Sequence, residues 1–154
     1  MWLRPYFKNY RIACNPLLDA RQLLRGNIEL EDGMDLHEAV HLKLTTSYQP
    51  ILATERECLD LYSRQHSTNY LRGTIGGTIA LPISDAERDK VLDWAKRLEP
   101  LYAKAIDAVD RGVTATSERD IDEILEVLSD ADDWAMDQYC RVCEGDHAKS
   151  FSPF

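Results

Sequence analysis

Apolar residues return every three or four positions over most of this chain, the period of a helix with one oily face. The longest such run takes in Val91, Trp94, Ala95, Leu98, Leu101, Ala105 and Val109. Ser84 and Glu87 stand ahead of it as a capping box, in which the serine oxygen accepts from the backbone amide three residues on. Gly112 is a good stop, and Pro100 predicts a kink because it removes one helical hydrogen bond. A second run starts near Ser117 and takes in Ile121, Ile124, Leu125, Leu128, Ala131, Ala135, Tyr139 and Val142, ending about Cys143 with Gly145 beyond. Two long amphipathic helices joined by a short turn predict an antiparallel helical hairpin.

The first half of the chain is more broken. Residues Trp2 to Ile12 are rich in aromatics and read as a short strand or an extended arm, with Trp2, Tyr6, Phe7 and Tyr10 covering the core. Asn15-Pro16 reads as a helix start and Gly26 as its stop. Asp35 to Leu44 is the next helix, with Leu36, Ala39, Val40 and Leu44 on one face and Asp35 with Glu38 as its cap. Thr45-Thr46-Ser47 and Pro50 end it, and a further helix runs from about Pro50 to Gln65. Leu71 to Ile83 holds Thr-Ile-Gly-Gly-Thr-Ile, a β-hairpin signal, since glycine accepts the positive φ that such turns need. The fold expected is mainly α: an antiparallel helical bundle built on the C-terminal helical hairpin, with a small β-hairpin. It forms one domain over residues 1–154, with 1–13 as an extended arm and 146–154 as a loose tail.

Composition agrees with a folded chain of 154 residues, long enough for one sizeable core. The start lacks the apolar run of a signal peptide, and no stretch approaches the roughly 20 apolar residues of a membrane helix. The expected location is cytoplasmic, without membrane contact. The net charge of −9 is unevenly spread. Arg4, Lys8, Arg11, Arg21 and Arg25 face only Asp19 in the first 26 residues, whereas Glu118 to Asp137 holds nine acids against Arg119 alone. A dipolar field is expected, basic at the start and acidic at the end. Direct nucleic-acid binding is disfavoured, because phosphates call for a basic footprint.

Three constellations carry chemistry. His37-Glu38-Ala39-Val40-His41 resembles the His-Glu-x-x-His signature of zinc metallopeptidases. Two imidazoles one turn apart bind Zn²⁺, and the glutamate serves as base on the metal-bound water. A third ligand would have to be Glu55, Glu57 or His66. A plain helix cap at Asp35 and Glu38 with half-exposed histidines accounts for the same residues. Second, Cys140-Arg141-Val142-Cys143 followed by His147 is part of a structural zinc site, with Cys14, Cys58 or His66 as the fourth ligand; small cysteines buried beside the apolar stripe explain it equally. Zinc is thus the one cofactor the sequence suggests.

The third is a row of acids. At about 100° per residue, Asp122, Glu126, Asp130, Asp133 and Asp137 share one arc opposite the apolar stripe. Such a row suits a protein partner with a basic surface, including a nucleic-acid-binding protein whose groove it would fill by imitating a phosphate backbone. A solvated face that maintains solubility is the simpler account. Asp132 departs from the row: it projects to the apolar side, where a carboxylate calls for an arginine or histidine. The sequence shows no phosphate-binding glycine loop and no nucleophile elbow. Two functions are carried forward. One is a small acidic interaction or regulatory protein, of which an inhibitor mimicking nucleic acid is an instance. The other is a zinc-dependent hydrolase with His37 and His41 as ligands and Glu38 as base.

Overall fold

At Ser84 the backbone is extended and the hydroxyl accepts from the Glu87 amide at 3.0 Å, so the serine cap opens a helix at Asp85. Asp35 does the same for the Glu38 amide at 2.8 Å. The computed structural model of the chain describes residues 4–65, 83–112 and 114–149, with side chains only as far as Gln138 in the last stretch. Within these, a 3-10 turn at Pro5–Lys8 leads into α1 (Asn9–Leu24), followed by α2 (Leu36–Gln65), α3 (Asp85–Asp110) and α4 (Thr114–Lys149). The chain is mainly helical.

The helices form a ring: α1 packs on α2, α2 on α3, α3 on α4, and α4 back on α1. Cross-helix bonds give the directions. Ala13 and Asp19 of α1 meet Ser47 and Lys43 of α2, so the order along one helix reverses along the next. Gln65 and His41 of α2 meet Ile83 and Asp110 at the two ends of α3. Lys104 near the end of α3 meets Asp120 and Glu123 near the start of α4. Arg11, Arg21 and Arg25 of α1 meet Asp132, Asp122 and Glu118 of α4. Each neighbouring pair is antiparallel.

The core fills the ring with side chains spaced as the helical period requires. Leu17, Leu44, Ile51, Leu98, Ile121, Ile124 and Leu128 are fully buried. Alanines at 13, 20, 105, 131 and 135 let the helices approach. One polar link crosses this interior. Ser47 Oγ donates to the Ala13 carbonyl at 2.6 Å and lies 2.7 Å from Tyr102 Oη, tying α1, α2 and α3 together.

Several expectations are corrected. Tyr6, Phe7 and Tyr10 cover the core as expected, but residues 5–13 are helical rather than an extended arm, and the helix begins at Asn9 rather than Asn15. Pro16 lies inside α1. The two helices expected on either side of Pro50 are one, α2, and Pro100 lies inside α3. Proline at position i frees the carbonyl of i−4, and here that residue is Ile12, Thr46 or Lys96. All three are exposed, so water replaces the missing donor at little cost. α4 starts at Thr114 and continues to Lys149, through the start of the segment expected as a loose tail. The β-hairpin expected over 71–83 falls outside the described residues except for Ile83, which is not in a strand, and no strand occurs among the described residues. Both backbone groups of Ile83 pair with the Gln65 side-chain amide at 2.6 Å, which fixes where the chain re-enters the bundle.

The short connection from α3 to α4 turns at Gly112, whose φ is +75°. A Cβ there would meet only the His37 ring, at 3.6 Å, an ordinary contact. The cost of Gly112→Ala is therefore conformational, about 1 kcal/mol, to be read from the midpoint of urea unfolding. A much larger loss would mean that the turn is sterically filled.

Candidate functional site

α4 presents its carboxylates in two environments. On the side facing α1, Arg25 Nε reaches Glu118 at 2.5 Å and Arg21 Nη1 reaches Asp122 at 3.0 Å. Arg11 meets Asp132 through Nη2 at 3.1 Å and Nε at 3.3 Å. Asp132 thus finds the arginine its position called for; its Oδ1 is buried without a hydrogen bond among the described residues. The charge separation read along the chain is not a separation in space, because the basic start lies antiparallel against the acidic helix.

The expected row is exposed throughout: Asp122, Glu126, Asp130, Asp133 and Asp137 all face outward. Asp122 is tied to Arg21. Glu126, Asp130 and Asp133 form no ion pair among the described residues. They sit at helical spacings of four and three, so consecutive carboxylates leave the helix about 5–6 Å apart.

Asp120 escaped the sequence reading. It is 2% exposed, with Oδ1 3.2 Å from Lys104 Nζ and Oδ2 buried without a hydrogen bond among the described residues. Its position was informative: it lies one turn before Ile124, inside the arc of the apolar stripe.

The His-Glu-x-x-His residues occupy a different place. His37, Glu38 and His41 line an open cleft of about 370 Å³ with Asp35, Leu42, Thr45 and Asp110. Asp110 Oδ1 lies 2.9 Å from His41 Nδ1, and the His37 ring lies beside the Gly112 turn. The continuous α2 separates this cleft from two of the expected third ligands: Glu55 and Glu57 lie roughly 21–24 Å further along the same helix at 1.5 Å per residue. The remaining candidate, His66, is outside the described residues. Among the described residues no three His, Cys, Asp or Glu side chains converge as a metal cage.

No family model, curated protein or solved structure matches this chain. Its function must therefore be read from its own surfaces.

The cysteines add little chemistry. Burial raises the Cys14 thiol above its ordinary pKa, with Asp132 adding to the rise and Arg11 opposing it. Cys58 is fully buried, and burial raises it too, against a lowering hydrogen bond from Tyr6. Both are thiols near neutral pH and poor nucleophiles. The side chains of Cys140, Cys143 and His147 lie outside the described residues. No helix among the described residues is long and apolar enough to cross a membrane.

Proposed function

We propose that this chain is a binding protein that offers the outer face of α4 to a partner with a basic surface, and has no chemistry of its own. One observation carries the reading. Arginines from α1 reach α4 at Glu118, Asp122 and Asp132, yet Glu126, Asp130 and Asp133 are left exposed and uncompensated among the described residues. Uncompensated like charges on one helix cost stability. Their attraction for an external cation array offsets that cost only in a complex, and the same field speeds encounter with a basic partner. A nucleic-acid-binding protein is a natural instance, because its groove is built for a line of negative charge.

The test is triple charge reversal, Glu126→Lys with Asp130→Lys and Asp133→Lys. The residues are exposed, so the helix content by circular dichroism should hold. Each lost contact is worth about 1 kcal/mol at the rim, and reversal adds repulsion, so binding to whatever the intact chain retains at low salt should fall on the order of 100-fold. Wild-type binding should weaken as salt rises. A duplex competitor that displaces the chain would identify the nucleic-acid-groove instance. Partner binding that ignores both the triple reversal and salt would exclude this face as the contact.

A further inference from the structure

We propose that His37 and His41 form an open site for a borderline-soft divalent cation of the Zn²⁺ class on α2, with Asp110 of α3 as its positioning residue. The proposal is independent of the acidic face of α4 and requires no hydrolytic activity. Residues one helical turn apart stand on the same side of a helix, and both rings line the same cleft. Asp110 Oδ1 lies 2.9 Å from Nδ1 of His41. A carboxylate there holds the proton on Nδ1, so the lone pair of Nε2 is available to a cation; carboxylates behind metal-binding imidazoles act in this way. Asp35 and Glu38 add negative charge to the cleft wall, so the field favours a cation over an anion.

Two imidazoles are fewer ligands than a closed structural site uses. The remaining coordination positions fall to water from the open cleft, so the site is exchangeable. Imidazole nitrogen suits Zn²⁺, Ni²⁺ and Cu²⁺, whereas Mg²⁺ and Ca²⁺ favour oxygen donors. The site should therefore discriminate between the two groups.

The experiment is titration of Zn²⁺ into the full-length, metal-free chain, followed by the ¹⁵N resonances of the imidazole rings. Nε2 of His37 and of His41 should shift together and saturate together, and Mg²⁺ should move neither. His37→Ala and His41→Ala should each weaken zinc binding by more than about tenfold. Asp110→Asn should weaken zinc binding about tenfold while leaving the unfolding midpoint in metal-free buffer little changed, a split that a merely structural ion pair would not give. Unfolding curves in metal-free buffer check that the variants remain folded; if one does not, the wild-type resonances still decide. Zinc that shifts only the resonances of His66 or His147, zinc binding lost with Cys143→Ser but retained in both histidine variants, or an equal response to Mg²⁺ would each overturn the proposal.

Discussion

Raising the pH above about 10 should unfold this protein steeply, at about 4 kcal/mol of stability per pH unit. The cause is three buried phenols. Burial raises Tyr6 above its ordinary pKa, and the charge and hydrogen bond of Glu87 raise it further. Burial raises Tyr10, with smaller contributions from Cys58 and Glu87. Burial raises Tyr102, against a lowering hydrogen bond from Ser47. An unfolded tyrosine releases its proton near pH 10. Below that pH both states hold the phenolic protons, and the phenols leave stability unchanged. Above it the unfolded chain loses protons that the folded chain retains, and each phenol costs about 1.4 kcal/mol per pH unit until its folded pKa is reached.

Urea midpoints measured at intervals from neutral to strongly alkaline pH would show the slope. Tyr10→Phe isolates one contribution. The Tyr10 hydroxyl is buried and has no hydrogen-bond partner among the described residues, so its removal costs little at neutral pH and relieves a desolvated group. The alkaline slope should then fall by about a third. An unchanged slope would show that the phenol ionises as easily folded as unfolded.

The helices were legible where local chemistry and tertiary packing agree. Ser84 and Asp35 cap where their spacing says, Gly26 and Gly112 take the positive φ that ends a helix, and the apolar stripe of α4 is buried at Ile121, Ile124, Leu128, Ala131 and Ala135. The misreadings have a shared physical origin. Proline and the run Thr45-Thr46-Ser47 are local stop signals, and a local rule weighs them without knowing which side of the helix faces water. Pro16 and Pro50 free carbonyls on the wet side. Ser47 turns inward, where Ala13 and Tyr102 satisfy it. The aromatic start was read rightly as covering the core at Tyr6, Phe7 and Tyr10 and wrongly as extended, because only the packed bundle shows that the segment reaches the core as a helix.

Of the site, the exposure of the acidic row was legible from the helical period alone. What sequence order hid was compensation. Arg11, Arg21 and Arg25 are about a hundred residues from the acids they meet, and only the antiparallel return of α4 onto α1 decides which carboxylates are neutralised. Asp110 beside His41 is hidden in the same way, since neither its spacing nor its neighbours mark it.

Glu87→Ala should destabilise the protein by about 3 kcal/mol, although Glu87 lies in the first turn of a helix where a substitution is ordinarily mild. In a capping box the glutamate turns back to the amide of the capping residue. Here its backbone amide takes the Ser84 hydroxyl, while the carboxylate turns away to Arg4 Nε at 2.8 Å and to the Tyr6 hydroxyl. Arg4 and Glu87 are only 6% and 14% exposed, so the guanidinium keeps its desolvation cost when the carboxylate is removed, and breaking a buried pair from one side costs about 3–5 kcal/mol. The lower end applies because the carboxylate is partly solvated and Arg4 has a further interaction besides Glu87. The same carboxylate holds the 3-10 turn against α3, so its loss should also increase proteolysis near Tyr6 and Phe7. Replacing both partners, Arg4→Met with Glu87→Leu, removes the charges together and should recover most of the stability in urea unfolding. A Glu87→Ala cost below about 1 kcal/mol, with no gain from the double replacement, would mean that the N-terminal turn is held by the burial of Tyr6 and Phe7 alone.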